Sequence, residues 1–216
     1  MRQANKLIAI LLAAIMVLAL CACGAQTTAA TTPAPTASAP AVKLAILYEQ
    51  DDSMKNTYSL LAVNPKAPFK DADGNAVSNV SINTAGAAAL INWLLSKEGE
   101  DMAASYGKDK YGENLFSLLD GAPVSTAAIP AATDATRNIR MSTTTSVNDS
   151  GLLDYLLPKF EQEYGYTVDV YSAGTGKAIA NAENGNADLI FVHSKKQEEA
   201  FVSDGYSYVL DGFKAE

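Results

Sequence analysis

Residues 139–204 read IRMSTTTSVNDSGLLDYLLPKFEQEYGYTVDVYSAGTGKAIANAENGNADLIFVHSKKQEEAFVSD and decide the fold of this chain. Short apolar runs alternate in this stretch with segments whose apolar residues recur at helical spacing. We predict strands at 139–144, 167–171 and 187–192, and helices at 149–164, 177–182 and 195–204. This alternation requires parallel strands with helices packed on the sheet. The predicted class is therefore α/β, with a parallel-type sheet and flanking helices.

The loops that follow two of the predicted strands are rich in hydroxyl groups and glycine. They are STTTS at 142–146 and SAGTG at 172–176, and a predicted helix follows each of them. In open α/β sheets ligands bind beyond the carboxyl ends of the strands, where helix N-termini offer free N–H groups. The two loops predict a pocket for an anion that needs no formal positive charge. Ordinary helix caps and strand–helix turns have the same composition, so a purely structural role is the alternative.

Residue types that carry catalysis or bind metals are scarce in this sequence. The chain has one histidine, His193, which follows a predicted strand and could face a ligand or fill a structural position. One histidine is too few for a multi-histidine metal site, and it makes a Ser-His-Asp triad an unfavoured interpretation. The GTGK sequence at 174–177 lacks the flanking residues of a phosphate-binding loop. We expect no enzyme activity, no cofactor and no metal site.

The charge of the chain excludes one class of partner. Lys and Arg number 16 against 24 Asp and Glu, which gives a formal net charge of −8. Nucleic-acid binding needs clustered Lys and Arg to neutralise phosphates, and no basic stripe is present. One long apolar run, at the N-terminus, also excludes a membrane protein with several spans.

The N-terminus resembles a bacterial lipoprotein leader. Residues 1–22 combine basic residues with an apolar core that is too short for a spanning helix, as in a signal peptide. The sequence LCACG at 20–24 resembles a lipobox whose lipidated residue would be Cys23. Residues 23–42 are rich in Ala, Thr and Pro and predict a flexible tether just outside a membrane. An ordinary signal peptide with incidental cysteines is the alternative.

Residues 43–122 form a second structured segment in the prediction. Its predicted elements are strands at 43–48 and 58–63 and one helix at 84–107. Trp93 is expected at the edge of the helix's apolar face. Residues 123–138 resemble the tether in composition and are predicted to link this segment to residues 139–216.

Several stretches of the second half resemble one known family. They are TTTS at 143–146, DSGLLDYLLPKFE at 149–161, GTGKA at 174–178, GNADLIFVH at 185–193 and FVSDGY at 201–206. These stretches are similar to the extracellular tungstate-binding proteins of bacterial ABC transporters. Proteins of this family have a type II periplasmic-binding-protein-like architecture of two lobes and capture tungstate, sometimes molybdate, between them. The resemblance implies that this chain forms one such lobe. It also implies six oxyanion ligands, which are Thr144, Thr145, Ser146, Gly174, Thr175 and Gly176.

The order of the family's segments is reversed in this chain. NTYSLLAVNP at 56–65 and AALINWLLSKEGEDMAASYG at 88–107 resemble the family's carboxyl-terminal part, although here they come first. We therefore expect a circular permutation in which residues 43–122 and 139–216 build the same lobe, because linking nearby chain ends is easy. The family's second lobe has no counterpart here. The chain is expected to be either a fragment of a longer permuted protein or a one-lobed relative.

These features together predict a lipid-anchored, extracytoplasmic solute-binding protein. It would capture a tetrahedral oxyanion, tungstate or molybdate, and deliver it to the permease of an ABC importer. The alternative is a one-lobed surface lipoprotein that acts as an interaction or sensing module with weak or no anion binding.

Overall fold

A four-stranded sheet organises the described part of the chain. The computed structural model describes residues 55–208 and Leu210. The strands are β1 (Ser59–Ala62), β2 (Asn138–Thr144), β3 (Thr167–Ala173) and β4 (Leu189–Val192). Their order across the sheet is β1-β4-β2-β3. β2 is parallel to both β3 and β4, whereas β1 is antiparallel to β4.

Seven helices accompany the sheet in the described residues. They are α1 (Thr84–Leu94), α2 (Lys97–Ser105), α3 (Lys108–Tyr111), α4 (Thr145–Asp149), α5 (Leu152–Tyr164), α6 (Thr175–Glu183) and α7 (Lys195–Ser203). Strands and helices alternate from β2 to α7, as crossover connections between parallel strands require. The predicted α/β class, with helices flanking the sheet, is confirmed. Three of the four strands are parallel as predicted, whereas β1 is antiparallel, so the sheet is mixed.

Two apolar clusters cover the two faces of the sheet. One cluster joins α1 and α5 to β2, and it includes Trp93, Phe160 and Met141. The other joins α6 and α7 to β4, and it includes Ile179 and Phe201. Successive residues of β4 point into alternate clusters, so β4 is buried on both faces, as expected for an inner strand of a covered parallel sheet.

The position predicted for Trp93 is wrong. Its side chain has no solvent exposure, and its ring centroid lies 5.5 Å from that of Phe160. Phe160 belongs to the segment 139–216, so the covering of Trp93 comes from a distant part of the chain. The two segments therefore share one core in the described structure.

The single helix predicted at 84–107 is also wrong, because the chain breaks at Ser96. The Ser96 hydroxyl donates to the Trp93 carbonyl oxygen at 2.7 Å and accepts the Gly99 N–H at 3.2 Å. It thus ends α1 and caps α2. A Cβ atom on Gly99 would lie 2.3 Å from the Trp93 carbonyl oxygen, so only glycine fits this close approach.

The helix predicted at 149–164 is likewise divided. Gly151 has a φ of 79° and separates α4 from α5. A positive φ cannot continue a right-handed helix, and glycine adopts it without steric cost. The first of the two helices also begins earlier than predicted, since Thr145 and Ser146 already form the first turn of α4.

Residues 123–138 contact the rest of the described structure at several points. The Ser125 N–H donates to the Leu95 carbonyl at 2.6 Å, and the Ala132 N–H donates to the Tyr164 carbonyl at 2.7 Å. Ile129 packs against the core.

The predicted leader, tether and strand at 43–48 lie outside the described residues. Among the residues that are described, no helix has the length and apolar character needed to cross a membrane.

Candidate functional site

The carboxyl ends of the three parallel strands meet at one edge of the sheet. Thr144 of β2 is opposite Ala173 of β3, and Thr143 is opposite Phe191 of β4. The residues that follow these strands therefore leave the sheet side by side, about 4.8 Å apart from strand to strand. This edge is where open α/β sheets bind ligands, and we call it the ligand edge.

The antiparallel strand β1 brings an additional residue to the ligand edge. Ser59 is opposite Val192, so the preceding residue, Tyr58, lies opposite His193. The Tyr58 and His193 ring centroids are 5.0 Å apart in an edge-to-face arrangement. Both segments of the chain thus contribute side chains to this edge.

Two hydroxyl groups of β2 bond neighbouring elements, one in helix α6 and one in β4, and are not available to a ligand. Ser142 Oγ donates to the Ala178 carbonyl oxygen at 2.7 Å, and Thr143 Oγ1 donates to the Phe191 carbonyl oxygen at 2.7 Å. Neither residue is exposed. Because buried hydroxyl groups need partners, these contacts satisfy them and fix β2 against its neighbours.

A cluster of three hydroxyl groups and one imidazole lies just beyond β2. Ser146 Oγ lies 3.0 Å from Thr144 Oγ1, 3.1 Å from His193 Nε2 and 3.4 Å from Tyr58 Oη. Thr144 is buried, whereas Ser146 and Thr145 are exposed. Ser146 is therefore both the centre of this cluster and its outward-facing member.

The second predicted loop forms the start of α6. Gly174 is the N-cap and carries no side chain, so the first N–H groups of α6 receive no side-chain cap. A Cβ atom added at Gly174 would meet nothing within 4 Å, so open space surrounds this turn. Thr175 and Gly176 supply the next two N–H groups, and Thr175 also carries a hydroxyl. This end of α6 offers hydrogen-bond donors and the positive end of the helix dipole.

Neither loop carries an acidic side chain that would repel an anion. Residues 142–148 contain no charged side chain, and Lys177 is the only charged residue within 172–178. In the part of the chain that the structure describes, no three His, Cys, Asp or Glu side chains are grouped so that they could hold a metal ion. The two loops therefore consist of neutral donors, with Lys177 the one cation next to them in the sequence.

The structure places the six predicted ligand residues in two neighbouring positions on the ligand edge. Thr144, Thr145 and Ser146 lie at the end of β2 and the start of α4, and Gly174, Thr175 and Gly176 lie at the start of α6. The Thr144 and Ser146 hydroxyls are in contact. The role of all six as ligands remains a prediction.

Sequence reasoning did not include Tyr58 in the site. Its sequence position, at the start of a predicted strand, carries no signal for ligand binding. Only the pairing of β1 with β4 brings it to His193, and the local pattern of neither strand encodes that pairing.

Comparisons with known proteins agree with the fold. Residues 129–213 match the family model of a PBP superfamily domain. The tungstate-binding protein TupA of Peptoclostridium acidaminophilum is 49% identical over 73 residues, which cover 34% of this chain and 26% of that protein. TupA of Campylobacter jejuni is 44% identical over 61 residues, which cover 28% of this chain and 23% of that protein.

A solved structure shows a similar partial match. The tungstate ABC transporter protein from Geobacter sulfurreducens is 51% identical, with coverage of 32% of this chain and 29% of that chain and a TM-score of 0.31. The chain spans about a quarter of the length of the curated relatives it matches. The predicted resemblance to tungstate-binding proteins of the periplasmic-binding-protein type is confirmed for the matched part.

Proposed function

We propose that this chain binds a tetrahedral oxyanion, tungstate or molybdate, at the ligand edge of its sheet. The observation that carries the proposal is the Thr144–Ser146 hydroxyl cluster beside the uncapped start of α6. The identity with tungstate-binding relatives supports the same ligand class.

The chemistry of the site suits a fully ionised oxyanion. The proposed ligands are the side chains or N–H groups of Thr144, Thr145, Ser146, Gly174, Thr175 and Gly176. Hydroxyl and N–H groups can donate to several oxygens of one anion, and the start of α6 adds a favourable dipole. Tungstate and molybdate have nearly the same size and charge, so we expect both to bind.

The proposed biological role is capture for import. In this proposal the chain is anchored outside the membrane through a lipid on Cys23, and residues 23–42 connect the anchor to the domain. The bound oxyanion then passes to the permease of an ABC importer. The leader sequence and the names of the relatives support this role.

The proposal includes a permuted lobe made of residues 43–122 and 139–216. The pairing of β1 with β4 supports it, because β1 comes from the earlier segment and β4 from the later one. The packing of Trp93 on Phe160 supports it in the same way.

Calorimetric titration of the full chain with sodium tungstate and sodium molybdate tests the proposed binding. Ser146→Ala should weaken binding by about 10- to 100-fold, because a hydrogen bond to a charged partner contributes about 1.5–3 kcal/mol. Ser203→Ala is the matched control, because this exposed hydroxyl lies at the far end of α7 and bonds the Ala200 carbonyl. Absence of binding by the wild-type chain would favour the interaction or sensing module instead.

A further inference from the structure

The hydroxyl group of Ser146 has more neighbours than it has hydrogen atoms. Thr144 Oγ1, His193 Nε2 and Tyr58 Oη surround it at 3.0, 3.1 and 3.4 Å. A serine hydroxyl donates one hydrogen bond and accepts up to two. Ser146 can therefore donate to a bound anion only when none of these neighbours accepts its single hydrogen.

Building on the proposed function, we infer that His193 is a positioning residue that sets the orientation of the Ser146 hydroxyl. When His193 carries its proton on Nε2, it donates to Ser146 Oγ, and the Ser146 hydrogen is free for an oxyanion. When Nε2 is unprotonated, it accepts that hydrogen and withdraws Ser146 from the ligand. The protonation of one imidazole nitrogen thus decides whether Ser146 is a ligand.

The surroundings of His193 keep its ring in place for this role. The ring of Tyr58 contacts it edge to face, with ring centroids 5.0 Å apart. The Tyr58 ring in turn packs against two other rings, with its centroid 5.8 Å from that of Phe191 and 6.1 Å from that of Phe116. His193 itself directly follows β4, an inner strand of the sheet. A ring held between a rigid strand and an aromatic neighbour is suited to orient a second group.

The same contacts give Tyr58 a supporting part. Its hydroxyl is the most distant of the three neighbours of Ser146, so its direct hydrogen bond is the weakest. Its main effect is to fix the His193 ring through the edge-to-face contact.

Nitrogen NMR of the imidazole tests the inference directly. Because His193 is the only histidine in the sequence, its two ring nitrogens need no assignment among residues. The full chain would be measured without anion and after saturation with tungstate. A saturated state with a proton on Nε2, either in the neutral ring or in the imidazolium form, supports the inference. A neutral ring protonated only on Nδ1 overturns it.

Variants supply a second, independent readout. His193→Leu removes the donor and should weaken tungstate binding by about tenfold, whereas His193→Gln, which can place an N–H near Nε2, should stay within about threefold of wild type. In a Ser146→Ala background, His193→Leu should cause no further loss, because there is no hydroxyl to orient. Thermal unfolding without anion separates this effect from a loss of folding.

The outcomes distinguish this inference from the proposed function. If the wild-type chain binds neither tungstate nor molybdate, both are overturned. If it binds and His193→Leu retains wild-type affinity, only the inference is overturned. The same holds if the effects of His193→Leu and Ser146→Ala add independently.

Discussion

Arg140 donates through Nη2 to Asp188 Oδ1 at 2.6 Å, and Asp188 has no exposed surface. The same carboxylate accepts the Arg140 N–H and the Asn83 N–H, each at 2.8 Å. Asn83 caps α1, which belongs to the earlier segment, whereas Asp188 immediately precedes β4. One buried carboxylate therefore connects the two segments.

Replacing this carboxylate should be costly. Asp188→Asn removes the charged acceptor of two backbone N–H groups and of the partly exposed Arg140 guanidinium, and should lower the free energy of unfolding by about 1.5–3 kcal/mol. Asp134→Asn is the control, because its ion pair with Arg137 lies on the surface, where such pairs contribute about 0–1 kcal/mol. Urea unfolding monitored by circular dichroism measures both. Equal effects of the two substitutions would contradict the buried role of Asp188.

The shared core predicts that both segments unfold together. Trp93 is the only tryptophan in the sequence, so tryptophan fluorescence follows the surroundings of one residue of the earlier segment. Leu156→Ala, in the later segment, should lower the stability measured by Trp93 fluorescence by about 2–5 kcal/mol, because it opens a cavity in the same cluster. Val202→Ala, at an exposed position, should stay within about 0.5 kcal/mol of wild type. An unchanged Trp93 transition in Leu156→Ala would show that the segments fold separately.

Glu183 should make stability depend on pH. Its pKa is raised above the ordinary value of 4.5, first because burial penalises the carboxylate and then because Asp204 repels it. The folded state therefore binds the Glu183 proton more tightly than the unfolded state does. The stability that this proton contributes is present at low pH and is lost as the pH rises through the folded-state pKa. Glu183→Gln should stabilise the protein at neutral pH, and this gain should vanish below pH 4.5, as thermal unfolding across pH can show.

Glu163→Gln supplies a comparison of opposite sign. A hydrogen bond from Lys159 lowers the pKa of Glu163, so the carboxylate stabilises the fold at neutral pH and the effect is lost as the pH falls. This variant should be less stable than wild type at neutral pH and equal to it in acid. The same pH dependence in both variants would contradict the opposite pKa shifts of Glu183 and Glu163.

Thr175 tests the second half of the proposed site. Thr175→Val removes the hydroxyl at nearly constant volume and should weaken tungstate binding by about 10-fold, whereas Thr175→Ser should retain most of the affinity. Thermal shift against tungstate concentration measures both, since a ligand that binds only the folded state raises its apparent stability. Equal tungstate-induced thermal shifts in Thr175→Val and Thr175→Ser would show that the Thr175 hydroxyl does not bind the anion.

Much of the sheet could be predicted from the sequence because its signal is local. The apolar runs that became β2, β3 and β4 were bounded by turn residues, and parallel pairing followed from the helices between them. The two hydroxyl-rich loops could be placed at one edge for the same reason. The position of β1 in the sheet could not be predicted, because its antiparallel pairing with β4 depends on contacts between residues far apart in the sequence.

The errors in the helices have physical causes. Helical spacing continues across Ser96, so periodicity alone gives one helix, although Glu98 and Glu100 after Ser96 are typical of a helix start. Trp93 was predicted at the edge of the apolar face because the pattern of its own helix does not show which residues cover it. Its burial depends on Phe160, more than sixty residues later in the chain.

The absence of charged side chains from residues 142–148 has a consequence for how fast an anion is captured. The chain as a whole is negative, with a formal net charge of −8, so an approaching dianion meets repulsion at long range. The hydroxyl and N–H donors act only at contact distance and are barely screened, whereas the long-range repulsion is screened by dissolved ions. Raising the ionic strength should therefore accelerate association of the anion, the reverse of the behaviour of a site lined with lysine and arginine.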